Sequence, residues 1–155
     1  MSQMNELVKQ ITHGVYVIGV SNGEQTNAFT AAWVMQVSFS PLLLAFSISP
    51  QHRSYSILSH SQTCAISVLK TEQIAFAKHF ASSDVDKMIG YQWQYSTTHS
   101  PILSESSAYF DCNVMQMVEA GDHVIVVCEV IDANYLQQGQ PMLYVETGNM
   151  DGSDK

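Results

Sequence analysis

The apolar residues of this chain come in short alternating or continuous runs, which is the pattern of β-strands. Residues 14–21 are rich in β-branched side chains and predict a strand, and Asn22 and Gly23 after them are typical of a hairpin turn. Residues 26–39 carry the returning strand, which we expect to bend into a further strand. Residues 42–49 are almost continuously apolar and therefore predict a strand that is buried on both faces.

The second half of the chain continues the pattern of strands. Residues 63–69 predict one strand, and residues 107–118 and 123–133 predict two long strands joined by a hairpin at residues 119–122. Residues 141–146 predict a last strand. Six or more strands with two or three short helices indicate a mainly β domain. The long strands favour a closed or split barrel over a doubly wound sheet.

Three short helices are predicted among these strands. The apolar spacing indicates a lead-in helix within residues 4–12. A second helix runs to about His60, with Ser49 as its N-cap and Pro50 at its first position. A third helix follows Thr71, which can cap it.

Residues 82–106 show neither the apolar pattern of a strand nor that of a helix. A long polar and aromatic loop inside a domain is usually functional or disordered. Tyr91, Trp93 and Tyr95 favour an ordered segment. Two interpretations are equally supported, a lid or interface element on the one hand and a packed surface loop on the other.

Length and composition indicate how this domain associates. We expect residues 1–150 to form a single domain and residues 151–155 to form a mobile tail. Only 13% of the residues are charged while 46% are hydrophobic, so the surplus apolar surface predicts a homodimer. The N-terminus is polar and no apolar run reaches the length of a membrane span, so we expect a cytoplasmic protein.

Charge and cysteine content exclude several kinds of function. The net charge of −8 and the six scattered basic residues argue against a nucleic acid or an anionic membrane as the partner, although a small anionic ligand remains compatible. Cys64, Cys112 and Cys128 lie far apart without C-x-x-C spacing, which predicts reduced buried thiols. The histidines lack metal-ligand spacing, so no metal site is predicted. The one G-x-S-x-G, at residues 19–23, runs from a predicted strand into a hairpin turn and not into a helix, so no serine nucleophile is indicated. G-x-G-x-x-G does not occur.

The strongest chemical signal is the sequence S-I-S-P-Q-H-R-S-Y at residues 47–55. His52, Arg53 and Ser54 lie at the predicted start of the second helix, and Arg53 is the only arginine of the chain. A helix N-terminus with an arginine and a hydroxyl beside it is suited to bind an anionic phosphate. The alternative is that Arg53 forms a surface salt bridge.

Four segments in this order resemble a known family. They are N-A-F-T-A-A-W at residues 27–33, S-I-S-P-Q-H-R-S-Y at residues 47–55, a helix ending in Phe80 and Ala81, and Gly121-Asp122-His123 followed by a strand that contains Glu129. Together they resemble the flavin reductase-like domain, the FMN-binding split barrel, from about residue 14 to residue 146. The resemblance implies a mainly β fold with short helices, and a homodimer with FMN, or FAD in its place, bound near the subunit interface.

The resemblance also implies roles for individual residues. The candidate cofactor-binding residues are Asn27, Thr30, Ala31, Ala32, Ser49, His52, Arg53, Ser54 and Phe80. The backbone of residues 30–32 would meet the isoalloxazine ring and the ribityl chain, Arg53 and Ser54 would hold the phosphate, and Phe80 would border the flavin. His123 would lie where a nicotinamide stacks and is the candidate catalytic residue, the alternative being a simple turn residue.

The implied reaction is NAD(P)H-dependent reduction of FMN, with hydride passing from the nicotinamide to flavin N5. NAD(P)H would be a transient co-substrate, and a partner monooxygenase would receive the reduced flavin. The sequence departs from the family pattern at Ala32, where serine is common, and soon after residue 146, where it lacks the basic and aromatic residues that many members carry. These departures keep open a non-enzymatic FMN-binding electron carrier or redox sensor. Haem is a weaker alternative, because no axial ligand stands out.

Overall fold

The fold is known from a computed structural model, which describes residues 2–147. Within this range the strands are β1 (Tyr16–Ser21), β2 (Thr26–Ala31), β3 (Val34–Ser38), β4 (Leu43–Ile48), β5 (Thr63–Val68), β6 (Trp93–Gln94), β7 (Ile102–Leu103), β8 (Ala108–Ala120) and β9 (His123–Tyr135). The helices are α1 (Gln3–Leu7), α2 (Arg53–Ser61) and α3 (Ile74–Phe80), with 3-10 turns at Val8–Gln10 and Tyr144–Thr147. The predicted tail at residues 151–155 lies outside the described residues.

Seven strands form one antiparallel sheet in the order β2-β1-β5-β8-β9-β4-β3. β2 and β3 are its two edges, yet only Ala32 and Trp33 connect them. Such a short connection reaches at most about 10 Å, so the sheet must curl until its edges approach each other. No ladder joins β2 to β3 in residues 2–147, so the barrel remains open along this seam. The mainly β fold expected from the sequence is confirmed.

Hydrophobic packing fills the inside of the curled sheet. Ile18, Phe46, Ile66 and Val126 come from four different strands and are at most 2% exposed. The two long strands are joined by a tight turn at Gly121 and Asp122, where Gly121 takes a positive φ of 65°. The residues that follow the turn of this long hairpin therefore lie at the open seam.

The first turn of α2 differs from the prediction. The helix begins at Arg53, and the Nδ1 atom of His52 caps it by accepting a hydrogen bond of 3.1 Å from the backbone N–H of Ser54. The predicted cap at Ser49 and first position at Pro50 are therefore wrong. The hydroxyl of Ser49 instead accepts a bond of 3.2 Å from the backbone N–H of Gln51, inside a turn that precedes the helix.

Two further local predictions, a helix cap and a strand, are wrong. Thr71 does not cap α3, because its N–H and hydroxyl both donate to the carbonyl of Gln140, and the helix begins at Ile74. Residues 141–146 do not form a strand. Pro141 and Leu143 form only isolated β-bridges before the chain enters a 3-10 turn. The side chains of this segment are still alternately exposed and buried, although no strand ladder forms.

The segment at residues 82–106 is packed against the domain. The ring of Tyr91 lies 4.9 Å from that of Phe80, and the ring of Trp93 lies 5.5 Å from it. Trp93 also donates from its indole N–H to the carbonyl of Met88 at 3.0 Å. These contacts support the interpretation as a packed loop, and they fix the residues between α3 and β6.

Two remaining expectations concern helices and cysteines. Within residues 2–147 the longest helix, α2, has nine residues, and no helix is long and apolar enough to cross a bilayer. Cys64, Cys112 and Cys128 are free and buried as expected, with the sulfurs of Cys64 and Cys128 3.8 Å apart.

Candidate functional site

A cavity of about 300 Å³ opens at the seam of the barrel, and we call it the central cavity. Its walls come from the end of β2, the connection to β3, the end of β4, the start of β9 and the last 3-10 turn. The lining residues are Val15, Phe29, Thr30, Ala31, Ala32, Trp33, Ser47, Ile48, Ser49, His52, His123, Tyr144 and Thr147. The cavity therefore combines an apolar wall with several polar groups.

Small side chains line one wall of the central cavity. Ala31 and Ala32 present only methyl groups, so a ligand can approach the main chain closely. β2 is an edge strand, and backbone groups on the side away from β1 have no ladder partner. Thr30 donates its hydroxyl to the carbonyl of Ala77 at 2.7 Å, so this side chain holds α3 in place and leaves the backbone as the ligand-facing group.

His52 lies where the central cavity meets a second cavity. Its ring packs at 4.6 Å from the ring of Phe29, and burial lowers its pKa to about 4, with Lys87 and Arg53 adding positive charge nearby. The side chain is therefore neutral near pH 7. Since Nδ1 accepts the capping bond, the proton of the neutral ring is on Nε2. His52 can thus donate one hydrogen bond to a ligand.

The second cavity has a volume of about 370 Å³ and contains two basic side chains, so we call it the cationic cavity. It is lined by Asn27, Gln51, His52, Arg53, Ala81, Ser82, Ser83 and Lys87. Because His52 lines both cavities, the two are neighbours. An elongated ligand can extend from one into the other.

Asn27 positions the basic side chain at the start of α2. It is only 2% exposed, and its carbonyl oxygen accepts a bond of 2.9 Å from the guanidinium of Arg53. Its amide group donates to the hydroxyl of Ser54 at 2.8 Å. A single buried amide on β2 therefore fixes the first turn of α2 against the sheet and orients Arg53.

Lys87 supplies the second charge from the loop after α3. Its side chain is 3% exposed, and its ammonium group donates to the carbonyls of Phe80 and Ser82, both at 3.0 Å. Burial and the nearby Arg53 lower its pKa to about 8, although Asp84 acts in the opposite direction. A lysine has three donors, so one N–H is left for a ligand.

Neither cation of this cavity has a carboxylate partner within 4.0 Å in residues 2–147. Two positive charges without an ion-pair partner, one of them buried, are unfavourable in the absence of an anion. Two serine residues, Ser82 and Ser83, add polar groups to the same wall. This set of donors is suited to a phosphate group.

His123 lies at the other end of the central cavity. Its ring is 5.2 Å from the indole of Trp33. Its Nδ1 atom is 2.7 Å from a carboxylate oxygen of Asp122, and this hydrogen bond lowers the pKa of Asp122. Asp122 therefore orients the imidazole at the entrance of the cavity.

The structure brings most of the candidate residues from the sequence together. Thr30, Ala31, Ala32, Ser49, His52 and His123 line the central cavity, and Asn27 and Arg53 line the cationic cavity with His52. Ser54 and Phe80 line neither cavity, because both are fully buried. Ser54 lies beneath Arg53, and Phe80 contributes its carbonyl to Lys87.

Sequence reasoning missed two residues. Trp33 ends the motif at residues 27–33 but was not among the candidate residues, and it is 41% exposed and lines the central cavity. Lys87 was not considered, because nothing in the irregular segment 82–106 indicated which residue turns inward. The only signal was a lysine soon after the motif that ends in Phe80 and Ala81.

The sequence model of the flavin reductase like domain matches residues 8–153. The chain belongs to the flavin reductase-like domain family. A flavin reductase of Pseudomonas putida is 30% identical over 84% of this chain and 74% of its own length. In structure, the NADH:FAD oxidoreductase SgcE6 of Streptomyces globisporus, solved with NAD and FAD fragments, gives a TM-score of 0.86 at 28% identity, covering 94% of this chain and 88% of that one.

This member of the flavin reductase-like family also resembles parts of larger proteins. The high molecular weight rubredoxin of Moorella thermoacetica is 32% identical over 86% of this chain, but the match covers 61% of the rubredoxin. The chain thus spans about three fifths of that relative.

The buried imidazole of His52 predicts a pH dependence of stability. The pKa of His52 is about 4 in the folded chain against an ordinary 6.5, so the unfolded chain takes up a proton there first as the pH falls. As the pH falls from about 6.5 to about 4, protonation of His52 therefore favours the unfolded chain. We expect His52→Asn, which keeps a capping side chain, to lose less unfolding free energy than the wild type between about pH 7 and pH 4.5. Urea titrations at each pH measure this, and equal losses would contradict it.

Proposed function

We propose that this flavin reductase-like chain is an oxidoreductase that binds FMN and reduces it with NAD(P)H. The observation that carries the proposal is the pair of neighbouring cavities, one with small residues beside an edge strand and one with two cations lacking a counter-ion. A flavin mononucleotide combines a flat ring with a phosphate at the end of a short chain. The family membership supports the same assignment.

The residues of the two cavities fit the parts of such a cofactor. Arg53 and Lys87 would hold the phosphate, and the Nε2–H of His52 would donate to the ribityl chain or the phosphate between the cavities. The backbone of residues 30–32 would meet the polar edge of the ring. A bound flavin would supply the acceptor for hydride, and the protein would supply position and electrostatics.

His123 would orient the nicotinamide at the open side of the central cavity. Its imidazole is held by Asp122 and packs near Trp33, so both an aromatic face and a polar ring border the opening. Hydride transfer requires no general base, and we assign His123 a positioning and contact role there. The phosphate monoester of FMN matches the two cations, which favours FMN over FAD.

Association with other chains is part of the proposal. Met35, Phe39 and Met115 are 64%, 89% and 58% exposed, and they lie on or beside β3 and β8. Exposed apolar side chains in such number are typical of an interface, which supports a homodimer. The relative HsaB of Rhodococcus jostii is named as the reductase subunit of a flavin-dependent monooxygenase, and this supports a partner monooxygenase here.

A second candidate function is a non-enzymatic flavin-binding electron carrier or redox sensor. A relative that is 32% identical to this chain is named a rubredoxin, and this name supports the function of an electron carrier. Both candidates use the same cavities and differ in whether a nicotinamide nucleotide reacts at the central cavity.

An absorbance spectrum from 300 to about 600 nm distinguishes the two candidates. We expect purified protein with FMN to show flavin bands that bleach on anaerobic addition of NADH or NADPH. Bands that bleach only with dithionite would favour the carrier. Protein that gains no flavin signal with added FMN would contradict both.

The phosphate assignment predicts the effect of removing the arginine. We expect Arg53→Ala to weaken FMN binding by about 1.5–3 kcal/mol, the scale of a charge-assisted hydrogen bond. Lys78→Ala is the matched control, because Lys78 is exposed on α3 and lines neither cavity. Fluorescence titration measures both dissociation constants, and equal values would refute the assignment.

Lys87 predicts how FMN affinity depends on pH. Its pKa is about 8 in the free chain, and a bound phosphate would raise it. The affinity should therefore change little between about pH 6.5 and 7.5, above the second pKa of the phosphate, and fall as the pH rises through about 8. Lys87→Met should bind FMN more weakly near pH 7 and lose this fall. Thermal unfolding of the same samples checks that Lys87→Met is folded, and a fall that persists in the folded variant would contradict the role of Lys87.

His123 predicts a separation of binding from turnover. We expect His123→Ala to lower NAD(P)H oxidation about 10- to 100-fold while FMN affinity changes less than twofold, because His123 lines the central cavity and does not line the cationic cavity. Stopped-flow reduction of protein-bound FMN measures the first quantity and fluorescence titration the second. Loss of flavin with unchanged turnover per bound flavin would reverse the assignment.

A further inference from the structure

A third cavity adjoins the central cavity at His123, and none of the roles above uses it. It is a cleft of about 660 Å³ between the start of α2 and the turn that joins β8 to β9. Gln51 and Tyr55 contribute to one wall, and Glu119, Asp122 and His123 contribute to the other. We call it the acidic cleft.

The acidic cleft is placed to receive the second nucleotide. Ser49 and His123 line both this cleft and the central cavity, so the cleft leads outward from the place assigned to the flavin ring. The cationic cavity shares His52 with the central cavity and contains both cations near the flavin phosphate. A flavin that occupies those two cavities leaves the acidic cleft open to another ligand.

The acidic cleft contains two carboxylates. Glu119 is exposed, and the side chain of Asp122 is 97% exposed. No lysine or arginine lines the cleft in the described residues. Arg53 and Lys87 lie in the cationic cavity instead, and Lys9 lies 3.5 Å from Glu6 at the N-terminal helix.

We propose that the acidic cleft binds the adenosine part of the hydride donor and selects NADH against NADPH. This assignment rests on the proposed function. NADPH differs from NADH by a 2′-phosphate, which adds about 1.5 to 2 negative charges near pH 7. Two carboxylates repel that group, and no lysine or arginine of the cleft offsets the repulsion. The free 2′-hydroxyl of NADH can instead donate a hydrogen bond to a carboxylate such as Glu119.

Glu119 carries this selectivity, because Asp122 is already engaged with His123. Glu119 lies opposite Val124 in the β8–β9 ladder, on the exposed end of the hairpin. A change at Glu119 therefore alters the charge of the cleft without disturbing a buried contact.

The test compares kcat/KM for NADH and NADPH at saturating FMN. We expect the wild type to prefer NADH by about tenfold or more at low salt, with a smaller preference at high salt. Glu119→Lys should raise kcat/KM for NADPH about tenfold and change that for NADH much less. Glu24→Lys makes the same charge change in the exposed turn between β1 and β2, outside the cleft, and should leave the ratio unchanged.

Glu119→Gln removes the charge conservatively and should give an intermediate ratio. Equal kcat/KM values for the two nucleotides in the wild type would overturn the assignment. An equal effect of Glu24→Lys and Glu119→Lys would also overturn it, since net charge and not the cleft would then set the ratio. A fall in NADPH oxidation in Lys9→Ala, with no effect of Glu119→Lys, would place the adenosine at the N-terminal helix. If neither nucleotide is oxidised, the proposed function itself is wrong.

Discussion

The connection of two residues between β2 and β3 is the constraint on which the rest of the structure depends. The two strands form opposite edges of a seven-stranded sheet, so a connection this short forces the sheet to curl. The curl encloses the core on one side and leaves a seam on the other. At that seam an edge strand, a helix start and a hairpin end meet, which places backbone donors, charges and aromatic rings around one opening.

Charge is concentrated at this opening by contacts between distant parts of the chain. Asn27 on β2 orients Arg53 on α2, and the carbonyls at the end of α3 hold Lys87. Each contact satisfies a buried polar group, so the fold itself stabilises the geometry of the cationic cavity. Two cations without an ion-pair partner make an anionic ligand favourable there. The carboxylates near His123 place negative charge on the other side of the seam.

The strand pattern and the family motifs were readable along the chain because each depends on neighbouring residues. Alternating and continuous apolar runs placed all seven strands of the sheet, although the ends of the strands differ by a few residues. The motifs at residues 27–33 and 47–55 lie at the seam. The local signals failed where two residues competed for one role. Ser49 has the better capping propensity, but tertiary packing of His52 against Phe29 moved the cap to His52.

The sequence by itself determined the mainly β fold, the positive charge of the segment at Arg53 and the family to which the chain belongs. Only the tertiary structure decided that Lys87 turns inward, that Trp33 borders a cavity and that Glu119 lines the acidic cleft together with His123. These features depend on the curl of the sheet and on the path of a loop without periodicity. Local propensity does not encode such long-range contacts, because they form only when distant segments pack together.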